Sequence, residues 1–314
     1  MSKSIVIGVD VGGTFTDTLA LDEATGAVRV EKVPSTKGDQ SNGFLSGILA
    51  ATDHDLSSVS TIIHGTTVAT NALLERKGAK AGIITTEGFR DVLEMRRRDR
   101  PSTWGLWGQF TPVIERKCRL EVPERTLANG TVVKDVDEAS IKAAAQELIA
   151  QGCDSVCLFF INGYANTDNE IKAARILRQV WPNDYVSVAT EILPEIREFE
   201  RCSTASLNAY LQPVVANYLA RLETRIAEDE AGSEILIVQS NGGIMSVDTA
   251  KALPVRTALS GPAAGVVAAR QIAKAAGFEN VITCDMGGTS FDVSLVADGQ
   301  NMLTSQASID FGMV

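Results

Sequence analysis

The stretch SIVIGVDVGGTFTD, residues 4–17, decides how the rest of the chain is interpreted. A run rich in β-branched residues leads to Asp10, the pair Gly12-Gly13 follows, and a second run begins at Thr14. This order predicts a strand that enters a tight glycine turn and returns as a neighbouring strand. Residues 27–33 alternate between apolar and polar side chains, which predicts a third strand of the same meander.

The same pattern returns near the other end of the chain. Residues 281–297 read VITCDMGGTSFDVSLVA, in which Asp285 takes the place of Asp10. The two copies lie much farther apart than the repeats of a solenoid, which indicates a duplicated domain. The pair Asp298-Gly299 is a hairpin signal and predicts that a third strand follows over residues 302–309.

Helical and strand patterns alternate between the two copies. The pattern predicts an α/β fold with mixed sheets that are covered by helices. The predicted helices are 38–51, 66–77, 136–151, 167–180, 203–227 and 260–276, and the predicted strands are 59–63, 80–84, 154–160 and 234–239.

Composition excludes several classes of function. The 314 residues carry a net charge of −10, which disfavours binding to nucleic acid through a basic face. The five cysteines are irregularly spaced and only two histidines exist, so a disulfide framework and a multi-histidine metal site are not expected. The chain shows neither a signal peptide nor an apolar stretch of membrane-spanning length, and we expect a cytoplasmic protein that binds no membrane.

The repeated Asp-x-Gly-Gly-Thr turn has residue types that suit phosphate and Mg²⁺. Glycines let backbone N–H groups surround phosphate oxygens, and an aspartate at a strand end can hold Mg²⁺. We therefore predict that Asp10 and Asp285 are metal-binding and catalytic residues. The alternative is an ordinary hairpin turn that an aspartate caps. The predicted nucleotide-binding residues are Gly12, Gly13, Thr14, Gly287, Gly288, Thr289 and Asp292.

Further candidates lie on the return strands and at the start of a helix. Asp17 and Asp292 each have two open interpretations: a base or Mg²⁺ ligand that faces the cleft, or a solvated strand residue. His64 ends a predicted strand, where it would polarise substrate or relay a proton; a buried structural histidine is the alternative. The helix N-terminus that follows is a ready anion or carbonyl-oxygen site, which makes substrate-binding candidates of Gly65, Thr66 and Thr67.

Arg97 is the last candidate that the sequence offers for substrate. It lies in the run Arg96-Arg97-Arg98, which would hold a substrate carboxylate or contact a partner subunit. A solvated charged face is the alternative interpretation of such a run.

Five motifs together give the chain a family resemblance. They are residues 8–17, HGTTVATNAL at 64–73, SNGG at 240–243, SGPAAG at 260–265 and DMGGTS at 285–290. The twin glycine loops resemble those of the sugar kinase, heat-shock chaperone and actin superfamily. Within it, the motifs are similar to those of the hydantoinase A / 5-oxoprolinase family. The resemblance implies a duplicated ribonuclease H-like, actin-like ATPase fold, and it adds Asn71 to the substrate-binding candidates.

The resemblance also implies an activity. It implies an ATP- and Mg²⁺-dependent hydrolase that opens a cyclic amide of the hydantoin or 5-oxoproline type after phosphoryl activation of the carbonyl oxygen. One alternative is the nucleotide-binding subunit of an ATP-dependent ketone carboxylase of the acetone or acetophenone type. A second alternative is an inactive fragment or assembly subunit. The implied partners are a small cyclic amide or ketone and a B-type hydantoinase/oxoprolinase subunit.

Family members are much longer, so we expect the second lobe to be incomplete. We predict a first actin-like lobe over residues 1–85, an inserted α/β segment over 86–200, and the start of a second lobe over 201–314.

Overall fold

The computed structural model describes residues 3–12, 14–36, 40–97, 110–228, 232–286 and 291–302. Its strands are β1 (Ile5–Val11), β2 (Phe15–Asp22), β3 (Val28–Pro34), β4 (Val59–Thr66), β5 (Ala81–Thr86), β6 (Arg119–Val122), β7 (Arg125–Thr126), β8 (Val132–Lys134), β9 (Ser155–Phe159), β10 (Val186–Val188), β11 (Glu234–Val238), β12 (Ile244–Ser246), β13 (Val281–Met286), β14 (Phe291–Ala297) and β15 (Gln300–Asn301). Its α-helices are α1 (Gln40–Ala51), α2 (Val68–Leu74), α3 (Val92–Met95), α4 (Glu138–Ala150), α5 (Asp168–Val180), α6 (Ala189–Ile192), α7 (Glu198–Glu228), α8 (Val247–Ala252) and α9 (Ser260–Ala275).

The described residues form two compact units. The first contains the residues up to Asn71 together with those from Val214 onward, and the second contains Ala72–Pro213. Both copies of the glycine hairpin therefore belong to the first unit. The predicted division at residues 85 and 200 stays a prediction.

A mixed six-stranded sheet organises the first unit. Its strand order is β12-β11-β4-β1-β2-β3, in which β4 is parallel to both β1 and β11 and the other neighbours are antiparallel. The predicted three-strand meander and the predicted α/β class with mixed sheets are confirmed. Because β4 is parallel to β1, the carboxyl ends of these two strands lie at the same edge of the sheet.

Helix α1 packs on one face of the first hairpin. Side chains that point to the opposite face of the sheet are not covered by this helix. Ile7, Val9 and Val11 alternate along β1 and are buried on the covered face. The helix approaches so closely that a Cβ atom on Gly47 would lie 2.4 Å from Thr18 Oγ1. Since successive side chains of a strand point to opposite faces, Asp10 lies on the face that α1 does not cover.

The second hairpin forms a three-stranded antiparallel sheet in the order β13-β14-β15. Asp298 and Gly299 have φ values of 51° and 69°, as the predicted two-residue turn requires. The third strand begins earlier than expected, at Gln300, and residues 303–309 of the predicted strand lie outside the described residues. The face that α1 covers in the first copy is exposed here: Ile282 is 68% and Met286 80% exposed.

The second unit is built on a parallel four-stranded sheet in the order β10-β9-β5-β6. Helices α4 and α5 confirm the predictions at 136–151 and 167–180, and the Asp137 side chain caps α4 by accepting a hydrogen bond of 2.8 Å from the Ser140 N–H. Helix α7 begins at Glu198, five residues before its predicted start. Within the described part of the chain, no helix is both long and apolar enough to cross a membrane.

Candidate phosphate and metal site

Asp10 lies at the carboxyl end of β1, between two neighbouring strands. Across β2 its register partner is Asp17, and across β4 its partner is Gly65. The turn that follows is closed by a hydrogen bond of 3.0 Å from the Gly12 N–H to the Phe15 carbonyl oxygen. Thr14 is exposed in this turn, and Gly13 lies outside the described residues. The strand therefore ends with a carboxylate beside a tight glycine turn, as the sequence predicts.

The second copy repeats this arrangement. Asp285 pairs with Asp292 across β13 and β14, as Asp10 pairs with Asp17. Asp285 is exposed at the end of its strand and Asp292 is half-buried on the return strand. The predicted nucleotide-binding residues of the second turn lie outside the described residues: Gly287, Gly288 and Thr289.

Electrostatics connect the two copies within the first unit. The pKa of Asp10 is raised above its ordinary value, first because protein atoms partly bury the carboxylate and then because Asp17 and Asp285 repel its negative charge. The Asp10 side chain nevertheless keeps an exposed side. The Lys32 ammonium lies 2.9 Å from Asp17 Oδ1 and balances the charge of that carboxylate, in an ion pair whose two side chains are both exposed. A cation or a set of N–H donors is the chemistry that would relieve the repulsion at Asp10.

Glycines from two other segments border the Asp10 carboxylate. A Cβ atom placed on Gly65 would lie 3.4 Å from Asp10 Oδ1, and one on Gly261 would lie 3.9 Å away. Gly261 is the second residue of α9, a helix of 16 residues whose N-terminal N–H groups favour an anion. The carboxylate is thus surrounded by backbone with no side chain from these positions to fill the space.

Hydrogen bonds join the start of α9 to the end of β4. The Ser260 hydroxyl donates to the Thr66 carbonyl oxygen at 3.0 Å and accepts from the Thr66 N–H at 3.4 Å. The Leu259 N–H donates to Thr70 Oγ1 at 3.0 Å, and Leu259 has a left-handed φ of 64°. Ser260 and Thr66 are fully buried, so these contacts hold the glycines of both segments beside Asp10.

Of two further predicted substrate residues, Thr67 contacts the first hairpin directly and Asn71 contacts Thr67. The Thr67 hydroxyl donates to the Val11 carbonyl oxygen at 3.3 Å, and the Asn71 side chain donates to Thr67 Oγ1 at 3.3 Å. These contacts place the start of α2 next to the end of β1. Thr66, by contrast, is buried, and its backbone N–H is bonded to Ser260.

His64 is fully buried, on the face of the sheet opposite to Asp10. Its Nδ1 atom lies 3.1 Å from the Val9 carbonyl oxygen and its Nε2 atom 2.8 Å from the Tyr218 hydroxyl. Burial lowers its pKa to about 4, so the ring is neutral at neutral pH. With both nitrogens bonded and no exposed surface, the geometry favours the structural alternative for this histidine.

Arg97 belongs to the second unit, whereas the other predicted site residues belong to the first. Its guanidinium forms an ion pair with Glu200, whose side chain is only 4% exposed. The predicted contact between Arg97 and a substrate carboxylate therefore stays a prediction.

The residues at Asp10 fit a Mg²⁺–phosphate group. Mg²⁺ is usually held by one or two carboxylates together with substrate phosphates and waters. Among the described residues, no three histidine, cysteine, aspartate or glutamate side chains converge on one point, which disfavours an all-protein metal cage. Asp10 and Asp285, with the glycine-lined space beside Asp10, match the first pattern.

Sequence reasoning missed the contacts that hold this site together. Tyr218 lies 154 residues from His64 along the chain, and Ser260 lies 194 residues from Thr66. The SGPAAG motif at 260–265 was a usable signal, because a serine and a glycine at a helix start are typical of a phosphate-binding end. Tyr218 has no comparable signal, since it looks like any apolar position of a long helix.

Comparison with known families matches nearly the whole chain. Residues 6–181 match the family described as the hydantoinase/oxoprolinase N-terminal region, and residues 201–313 match the family described as hydantoinase/oxoprolinase. The caprolactamase subunit alpha of Pseudomonas jessenii is 34% identical over 304 residues, which cover 94% of this chain and 44% of that protein.

Two solved structures have a similar fold. A nucleotide-free structure of acetone carboxylase, described as an enzyme of ATP-dependent acetone carboxylation, matches with a TM-score of 0.82 at 27% identity and covers 94% of this chain and 44% of its own. The crystal structure of the ATP-dependent caprolactamase from Pseudomonas jessenii matches with a TM-score of 0.81 at 34% identity, covering 92% and 43%. The chain thus spans less than half the length of these relatives.

Proposed function

The chain belongs to the hydantoinase/oxoprolinase family, and we propose that it is the phosphate-binding part of an ATP-dependent hydrolase that opens a cyclic amide. The substrate class is a ring of the hydantoin or 5-oxoproline type. The observation that carries this proposal is the proximity of the two repeated aspartates: Asp285 of the second copy lies near enough to repel the charge of Asp10, beside a space that glycines leave open.

Asp10 and Asp285 would hold Mg²⁺, with Asp17 and Asp292 beside them on the return strands. Backbone N–H groups and hydroxyls would hold the phosphates, namely those of Gly13, Thr14, Gly287, Gly288 and Thr289. Gly12 would shape the first turn instead, because its N–H is bonded to the Phe15 carbonyl oxygen. Bound ATP and Mg²⁺ would supply a phosphoryl group that converts an amide carbonyl oxygen into a better leaving group. The N–H groups at the start of α9 would stabilise the negative charge that forms beside Asp10.

The segment from Gly65 to Asn71 would orient the substrate. Gly65 offers backbone without a side chain beside Asp10, and the half-buried Thr67 lies at the same edge, where its hydroxyl is bonded to the Val11 carbonyl oxygen. His64 would affect the substrate only indirectly, through the segment that follows it, because its own ring is buried. Arg97 would bind a substrate carboxylate or a partner subunit only after leaving Glu200.

A carboxylase subunit is the second candidate, because the acetone carboxylase structure matches as well as the caprolactamase structure. The caprolactamase relative is a subunit alpha, which favours a partner subunit for either activity. For this chain we propose a B-type hydantoinase/oxoprolinase subunit as that partner.

ADP release by the purified chain, with and without a candidate B-type subunit, tests both proposals. We expect hydantoin, 5-oxoproline or caprolactam to stimulate release, and Asp10→Asn to abolish the stimulation. Asp298→Asn is the matched control, because it removes one exposed aspartate in a left-handed turn that asparagine also accepts. Stimulation only by acetone or acetophenone with bicarbonate would instead support the carboxylase.

A further inference from the structure

A hydrogen-bonded chain runs from helix α7 to the backbone next to Asp10. The Val9 carbonyl oxygen can only accept a hydrogen bond, so the Nδ1 atom of the neutral His64 ring carries the proton and donates it at 3.1 Å. The Nε2 atom is then an acceptor, and the Tyr218 hydroxyl donates to it at 2.8 Å. The order of donation is therefore Tyr218 to His64 to Val9.

This series of hydrogen bonds ends on the two backbone segments that border the Asp10 carboxylate. Val9 immediately precedes Asp10, and His64 immediately precedes Gly65. The strand register pairs Val9 with His64 and Asp10 with Gly65. Because the Cβ position of Gly65 lies only 3.4 Å from Asp10 Oδ1, a small shift between β1 and β4 would change the space beside the carboxylate.

The surroundings of the His64 ring allow it little freedom. Tyr218 is buried in α7, and the Phe44 ring of α1 meets the His64 ring edge-on at a centroid distance of 4.8 Å. Apolar side chains of similar size would fill this space without needing any hydrogen bond. A buried polar pair defines a geometry that an apolar pair does not, because its groups must stay aligned to be satisfied.

We propose that Tyr218 is a positioning residue that holds Asp10 in place through His64. Neither residue touches the nucleotide; both fix how β4 lies against β1 at the point where the carboxylate emerges. This inference rests on the proposed function, since the property that it controls is the binding of metal and phosphate at Asp10.

Titration with Mn²⁺ as the probe ion in the presence of ATP, followed by the electron paramagnetic resonance signal of free Mn²⁺, measures this effect. Tyr218→Phe deletes one oxygen atom and leaves the ring in its place. We expect it to weaken Mn²⁺·ATP binding by about three- to tenfold, the equivalent of one lost hydrogen bond. Ser155→Ala is the matched control, because it also removes a buried hydroxyl bond, that of Ser155 to the Ala209 carbonyl oxygen at 2.6 Å, in the second unit.

His64→Asn provides a second variant that distinguishes positioning from general stability. Asparagine retains a donor for the Val9 carbonyl oxygen but cannot reach Tyr218. If Tyr218 acts through His64, adding Tyr218→Phe to His64→Asn causes no further loss of Mn²⁺·ATP affinity. Equal affinity of Tyr218→Phe and the unaltered protein, while Asp10→Asn weakens binding, would overturn the positioning role alone. Absence of Mn²⁺·ATP binding by the unaltered protein would overturn the proposed function and this inference with it.

Discussion

A methyl group added at residue 65 should weaken ligand binding at the site and leave the stability of the fold nearly unchanged. In the Gly65→Ala variant the new Cβ atom would lie 3.4 Å from Asp10 Oδ1, an ordinary van der Waals distance. The backbone at this position needs no left-handed conformation, so we expect the unfolding free energy to change by less than about 1 kcal/mol. The methyl group would nevertheless exclude water or a ligand atom from that side of the carboxylate.

The expected loss is that of one hydrogen bond from a ligand or water to the carboxylate, which the methyl group would exclude. A hydrogen bond to a charged group contributes about 1.5–3 kcal/mol, which corresponds to a roughly ten- to hundredfold weaker binding of Mg²⁺·ATP. Two further alanine variants grade the effect. The Cβ atom of Gly261→Ala would lie 3.9 Å from the same oxygen, and that of Gly8→Ala on β1 would meet no atom of the described residues within 4 Å. Isothermal titration calorimetry measures the binding of Mg²⁺·ATP by each variant, and urea unfolding measures its unfolding free energy. Equal binding by all three variants and the unaltered protein would refute the placement of the ligand beside Asp10.

Two predictions concern stability. The pKa of His64 is lowered from 6.5 to about 4 in the folded protein. Between these two pH values the unfolded chain binds a proton at His64 that the folded protein does not. The unfolding free energy therefore falls as the pH falls through this window, by up to about 3 kcal/mol. Urea unfolding at pH 7 and pH 4.5 should show this loss for the unaltered protein and a smaller one for His64→Asn; identical losses would contradict it. In the second unit, a Cβ atom on Gly78 would lie 2.1 Å from Tyr210 Cε1, so Gly78→Ala should cost about 1–3 kcal/mol by displacing the ring. An unchanged urea midpoint for Gly78→Ala would show that the ring moves without cost.

The glycine hairpins could be predicted from the sequence because their information is local. Alternating apolar residues, an aspartate and a glycine pair lie within fourteen residues, and the register of β1 with β2 follows directly from the tightness of the turn. The same holds for α4, whose cap Asp137 stands next to it in sequence. Such elements need no knowledge of the rest of the chain.

The surroundings of Asp10 could not be predicted because they come from distant segments. Gly261 borders the carboxylate from the other end of the chain. The sequence predicts a helix from residue 260, but nothing in the local sequence places the start of that helix beside Asp10. The environment of His64 is of the same kind: its position at a strand end suggested catalysis, whereas Phe44 and Tyr218 bury it. Likewise, the pairing of Arg97 with Glu200, 103 residues away, shows that a charged run can hide an ion pair.

The two hairpins also differ in a way that the repeated motif conceals. In the first copy, Val9 is buried under α1, whereas Cys284, its counterpart in the second copy, is exposed. The motif itself specifies only the turn and the aspartates. What packs on the opposite face depends on a helix that the repeated residues do not encode.

The most direct measurement is a double-mutant cycle on the two aspartates. Mn²⁺·ATP affinity would be measured for the unaltered protein, Asp10→Asn, Asp285→Asn and the double variant, with Asp298→Asn as the control. If both carboxylates serve one metal–phosphate site, each single variant binds much more weakly than the unaltered protein and the double variant is scarcely weaker than either. Losses that simply add, or an Asp285→Asn variant that binds as the control does, would contradict a shared site.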